Sequence, residues 1–179
     1  MSAPTTDWVL ALDISANCTG YCFGTGDGQV LKYGKYIAKR SSGMGRGQKL
    51  LNFSKWFSGI LNGLPHKPTR IVIESPYYRR NVKTFAILNM YVAVAAREAY
   101  RVCKIEVEFV APSAVKAGLH LPPGQDHEHR KYLMVKEINR RLGMNLGYHK
   151  SNKKISDDDI ADAIGIFIVF CERVLNATS

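Results

Sequence analysis

The sequence predicts an α/β domain built on a five-stranded mixed sheet with helices on both faces. Three observations predict it. Short runs of strand formers open the chain at residues 8–14, 19–25 and 29–37, with Gly26, Asp27 and Gly28 as a turn signal between the last two. Two later strand-like segments, 70–74 and 105–110, alternate with stretches of helical periodicity, and the closing third is helical. A meander followed by strand–helix alternation gives a mixed sheet whose two faces both need covering.

The elements follow in order. Residues 41–47 form a glycine-rich loop without periodicity, and it carries neither a Gly-Lys-Ser/Thr ending nor GxGxxG spacing. Over 48–62 the apolar residues Leu50, Leu51, Phe53, Phe57, Ile60 and Leu61 recur at helical spacing. Ile71, Val72 and Ile73 make a short buried strand that ends in Glu74, and Pro76 stops it. Residues 81–101 read as a long helix. In 105–110, Glu106 and Glu108 alternate with Ile105, Val107 and Phe109. Pro112 and Ser113 start a short helix carrying Lys116. A polar loop at 122–126 leads to a helix ending near Leu142, a basic loop covers 148–155, and a final helix runs from near Ser156, a good N-cap, to about Leu175. No repeat or linker divides the chain, so residues 1–179 are expected to form one domain, ordered over about 8–175.

Charge is the first unusual property. Twenty-five Lys and Arg face fifteen Asp and Glu, a net charge of +10, which points to a polyanionic partner. Between residues 29 and 105 stand fifteen basic residues and two acids, Glu74 and Glu98. Acids gather late instead, at Asp157, Asp158, Asp159 and Asp162. Cys18, Cys22, Cys103 and Cys171 form no CxxC or Cys/His pattern, which argues against zinc and fits reduced cysteines of an intracellular, cytoplasmic protein. The first residues show no signal-peptide pattern, and the longest apolar run, 163–171, is too short to span a bilayer, so no membrane partner is expected.

The acids form a constellation. Asp13 and Glu74 each close an apolar strand, at the carboxyl edge where open α/β sheets place their sites. Asp159 and Asp162 are three apart on a helix and share a face. Alone, Asp13 could be a turn residue and Glu74 an exposed strand end. Asp157 and Asp158 are explained by the helix dipole. Asp162 lies deeper, before an apolar run, where an ionised carboxylate is costly without a partner. Carboxylate oxygens select Mg²⁺ or Mn²⁺, and two such ions suit phosphodiester hydrolysis. A basic surface would then hold nucleic acid and the acid cluster the metals.

Leu12-Asp13-Ile14-Ser15 with Thr19-Gly20-Tyr21, Ile71 to Glu74, Val110 to Lys116, and Asp159-Ile160-Ala161-Asp162-Ala163 occur in the order and approximate spacing of RuvC-like Holliday junction resolvases. The chain resembles that family from about Trp8 to Cys171. The resemblance implies an RNase H-like fold, a homodimer, and nicking of four-way junctions with two Mg²⁺ ions, Mn²⁺ able to substitute. It implies metal-binding and catalytic roles for Asp13, Glu74, Asp159 and Asp162. Helical spacing leaves Asp158, four residues before Asp162, as an alternative to Asp159. It places Tyr77 where the family often has an aromatic that stacks on junction bases. Lys116 resembles one basic residue of the family, and Lys131 or its neighbour Arg130 a second. Tyr78, Arg79 and Arg80 suit base stacking with phosphate pairing, and Lys83, Lys153 and Lys154 extend the expected DNA surface. His120, His127, His129 and His149 read as surface residues rather than ligands.

Two other functions fit part of the sequence. Asp13-Ile14-Ser15 with Thr19-Gly20 also resembles the first phosphate loop of actin-like or sugar-kinase-like ATP-binding proteins, although those need two such domains. A non-catalytic module binding branched DNA, including forks and flaps, is the other. Finally, the helix over 81–101 is apolar nearly all round, which predicts burial on both sides and a subunit interface through Phe85, Leu88, Met90, Tyr91 and Val94.

Overall fold

A computed structural model describes residues 7–38, 43–76, 81–123, 126–152 and 155–178. Strands β1 (Trp8–Asp13), β2 (Cys18–Thr25) and β3 (Val30–Ile37) form the expected meander. Helix α1 (Arg46–Asn62), strand β4 (Arg70–Glu74), helix α2 (Val82–Cys103) and strand β5 (Val107–Val110) follow. Three helices close the chain, α3 (Pro112–Gly118), α4 (His127–Leu142) and α5 (Asp158–Thr178). The strands lie in the order β3-β2-β1-β4-β5. β1–β2 and β2–β3 are antiparallel, while β1–β4 and β4–β5 are parallel. This is the five-stranded mixed sheet of the RNase H-like fold.

Alternation along the central strands builds two cores. Leu10, Leu12, Ile71 and Ile73 point to one face and meet Phe53, Phe57 and Leu61 of α1 and Tyr91, Val92 and Ala95 of α2. Val9, Ala11 and Val72 point to the other and meet α5, with α3 and α4 packed outside it. Helices therefore cover both faces. From Ile160 to Cys171 every residue of α5 except Asp162 is buried, and this helix is the one apolar all round.

α2 is different. Tyr91 is buried against its own core, its ring 5.2 Å from that of Phe53, so it is no interface residue. Leu88 and Val94 are half-buried and lean on the same core. Phe85 is half-buried. Of the predicted interface set only Met90 faces solvent, on a stripe with Val82, Ala86 and Ala93. Periodicity overstated the apolar girth because α1 fills one flank. Glu98, in the same helix, is buried and satisfied by Ser54 and Arg101.

Boundaries shift at two places. β5 is shorter than its alternating pattern: Ile105 packs below it and Phe109 is exposed on the edge strand. α5 begins at Asp158, with the Asp157 carbonyl accepting the first helical bond from Ala161 N at 2.8 Å. The Ser156 hydroxyl accepts from His149 N instead of capping the helix.

α5 lies directly on β2. A Cβ built on Gly20 would sit 1.8 Å from the Asp159 carbonyl oxygen and 3.2 Å from the Ala163 Cβ. Any side chain there pushes helix from sheet. Gly20→Ala is therefore expected to lower stability by about 3 kcal/mol or more, at or beyond the usual cost of overpacking. Gly59→Ala, within α1 and with open space around it, is expected to raise stability by about 0.5–1 kcal/mol through helix propensity. Urea unfolding of the two variants measures both.

Candidate active site

The sheet brings two carboxylates together by register alone. β1 and β4 are parallel with Leu12 opposite Ile73, so the next residues, Asp13 and Glu74, end neighbouring strands side by side. Asp13 is also the cross-strand partner of Gly20, the residue on which α5 rests. That contact carries Asp159 and Asp162, one helical turn apart, to the same end of the sheet.

Electrostatics shows the convergence. Burial, and then the charges of Asp162, Glu74 and Asp159, push the Asp13 carboxyl well above the usual carboxylate range. Burial pushes Asp162 up to about 7. Lys131 opposes that shift, and Glu74, Asp159 and Asp158 add to it. The Lys131 ammonium pairs with Asp158 and lies 3.9 Å from Asp159 Oδ1. Burial and these acids act on it in opposite senses, and the acids prevail, so it stays charged. Asp158 is thus buried and held by Lys131, whereas Asp159 is among the charges acting on Asp13. The Cys18 thiol, raised by burial, hydrogen-bonds Asp159 as a neutral donor.

Among the described residues no three His, Cys, Asp or Glu side chains are already drawn together as a metal-ligand set. The acids lie near enough to act on one another's charge. In kind the donors fit a hard divalent cation, being all carboxylate oxygens, and their mutual repulsion is what such a cation relieves.

A second group holds the start of α5. Lys35 of β3 donates to the Ser156 carbonyl at 2.5 Å and pairs with Asp157 at 3.7 Å. Asp157 accepts from Gly147 N at 3.0 Å, and its own N–H donates to the Gly147 carbonyl at 2.7 Å. Asp157 is therefore a structural staple. The sequence reading places Gly20 in the family motif and Cys18 among the reduced cysteines, and it gives neither of them, nor Lys35, a part in positioning the acids. Gly20 alone carried a clue, since a glycine inside a strand marks close backbone approach.

The expected DNA-contact residues divide. Of the pair Arg130 and Lys131, Lys131 reaches the acids. Arg130 is half-buried on α4 and makes no ion pair among the described residues. Lys116 is half-buried in the last turn of α3 and pairs with no acid among those residues. Lys83 is exposed in the first turn of α2. Tyr77, Tyr78, Arg79, Arg80, Lys153 and Lys154 lie outside the described residues. No helix among those residues is long and apolar enough to cross a membrane.

Comparison with solved structures places the fold. Thermus thermophilus RuvC in complex with a Holliday junction substrate superposes with a TM-score of 0.69 at 14% identity, covering 94% of this chain and 96% of that one. A second Thermus thermophilus RuvC structure gives 0.66 at 14% identity, covering 93% and 96%. The chain has the fold of these RuvC structures over nearly its whole length. No protein-family model matches the sequence, and no curated protein matches it.

The raised carboxyls predict an unusual stability profile. With a folded value of about 7 against 3.8 for the ordinary group, Asp162 keeps a proton in the folded state that the unfolded chain has released. This contribution favours folding at acid pH and is lost as pH rises toward 7. Between about pH 5 and pH 8 in EDTA, the wild type is expected to lose a few degrees more in Tm than Asp162→Asn. Adding Mg²⁺ at pH 8 should recover that loss in the wild type and leave Asp162→Asn unmoved. Calorimetry of both proteins at both pH values decides it.

Proposed function

We propose that this chain is a divalent-metal-dependent endonuclease that nicks branched DNA, resolving four-way junctions as a homodimer. The observation that carries the reading is the meeting of Asp13, Glu74, Asp159 and Asp162, from two strands and one helix, at one sheet edge of a protein with net charge +10. The fold is that of RuvC, one structure of which is a complex with a Holliday junction. Those four residues would hold two Mg²⁺ ions, or Mn²⁺, which when bound supply an activated water and stabilise the leaving oxygen of the phosphodiester. Asp158 keeps Lys131 over the acids, and Cys18 orients Asp159. Lys83, Lys116 and Arg130, with Tyr77 to Arg80 and Lys153 and Lys154, would track phosphates and unpaired bases, giving binding that weakens steeply with salt.

The test is nicking of a synthetic four-way junction in Mg²⁺ and in EDTA. Asp13→Asn, Glu74→Gln, Asp159→Asn and Asp162→Asn should each lower cleavage by more than about a hundredfold, beyond what loss of an outer-shell partner costs, while junction affinity holds or rises. Asp158→Asn should cost less, because its carboxylate acts through Lys131. Near-normal nicking by any of the four would remove that residue from the site. ATP turnover with no nicking by the wild type would overturn the nuclease reading.

The dimer would form through the outward stripe of α2. Val82 is 61% and Met90 39% exposed, on a helix whose inner side is already packed. A two-fold axis there would set one acid cluster against each of two DNA strands. Met90→Glu is expected to convert a dimer to a monomer in light scattering and to uncouple the paired nicks. A wild type that is monomeric at micromolar concentration yet nicks in pairs would contradict it.

A further inference from the structure

α4 carries an aromatic group that the acid site does not use. The Tyr132 ring is 44% exposed. It is flanked by His129 at 6.1 Å between centroids and by Tyr148 at 6.0 Å. Tyr148 is fixed in turn: its hydroxyl donates to Glu128 Oε2 at 2.7 Å and lies 3.1 Å from the Glu128 carbonyl, and its ring leans on the core. An exposed tyrosine held between two other rings has already lost most of its side-chain freedom, so a ligand stacking on it pays little ordering entropy.

Position and charge say what that ligand is. Tyr132 follows Lys131, whose ammonium lies on the acids. Adjacent helical residues diverge by about 100°, which turns Tyr132 outward at the rim of the site. The Tyr148 hydroxyl feels both Asp158 and Lys131, which puts the second ring beside the same acids. From residue 127 to 155 the sequence holds eight Lys and Arg against two Glu. Glu137 is engaged by Arg140 and Arg141, and Glu128 by Tyr148. Arg130 and Lys150 form no ion pair among the described residues. An aromatic face in a basic surround, at the rim of a carboxylate site, matches a nucleic-acid strand whose bases are unpaired.

We propose that Tyr132, braced by His129 and Tyr148, is a stacking platform for unpaired bases of branched DNA beside the cleavage centre. The proposal rests on the nuclease reading and deepens it. Tyr132 selects for DNA with an open branch point, because a paired base in a duplex has no free face to offer. Arg130 and Lys150 hold the phosphates of the same strand.

The test uses the full chain in EDTA, so that DNA is bound and not cut. The probes are a four-way junction with a fluorescent adenine analogue at the branch, and a duplex of equal length. Tyr132→Ala is expected to lose about tenfold in junction affinity, in the range of one base–aromatic stack, with less than about a twofold change on duplex. It should also lose the fluorescence change that the wild type produces. Tyr132→Phe keeps both. Tyr132→Leu fills the same space without stacking and should behave like Tyr132→Ala. It guards against a fold defect, with thermal melts alongside. Wild-type junction-to-duplex ratios in a folded Tyr132→Leu variant overturn the platform and leave the nuclease reading intact. A wild type that does not prefer junction to duplex overturns both.

Discussion

The contact between α5 and β2 is the constraint on which the rest of the molecule depends. With no Cβ at Gly20, the Asp159 carbonyl rests against the strand backbone directly opposite Asp13. That approach lets one helix be buried from Ile160 to Cys171, under the sheet on one side and α3 and α4 on the other. The same approach sets helical carboxylates against strand-end carboxylates. Core and site are thus made by one packing event, and a substitution that loosens the helix disperses the acids even if it touches none of them.

The site draws its acids together under mutual repulsion. The helix dipole favours Asp158 and Asp159 in the first turn of α5, but it falls off before Asp162. Among the described residues Lys131 is the cation that pairs with the acids at the start of α5 beside Asp162. Glu98 shows the other way to bury an acid. Burial pushes that carboxyl up, yet hydrogen bonds from Arg101 and Ser54 and the nearby Arg97 hold it below its ordinary value. Asp13 and Asp162 are raised instead. Of two buried acid environments in one chain, one is satisfied and ties α1 to α2, while the other is held under repulsion. Strain of the second kind is characteristic of a functional site.

Much of this was legible in the sequence, and the rest was hidden for physical reasons. Strand alternation and helical periodicity are local, so the order of elements, the meander and the acids at strand ends could all be read from residues near one another. Asp159 and Asp162 followed from helical spacing. What periodicity does not reveal is which element covers which face. α2 therefore looked apolar all round because Tyr91 and Val94 pack on its own core, Tyr91 against Phe53 of α1, and the helix buried nearly all round, over 160–171, is α5. The roles of Lys35 and Cys18 depend on contacts 121 and more than a hundred residues away, and no local pattern announces them. The assignment of Ser156 as a cap failed because a tertiary partner, His149 N, took its hydroxyl first.

On the proposed reading the two faces of the sheet would divide the work. Glu74 and Asp13 lie at an edge reached by α5 and by Lys131 of α4. A subunit contact along the outward stripe of α2 would use the α1–α2 side. DNA held by α4 and the segment after Leu146 would use the opposite side. Two such surfaces would not compete, because the sheet would separate them. A strand laid across that edge would meet Lys131 and Tyr132 on the α4 flank. The acids would then lie beneath its backbone, where the phosphate to be cut must sit.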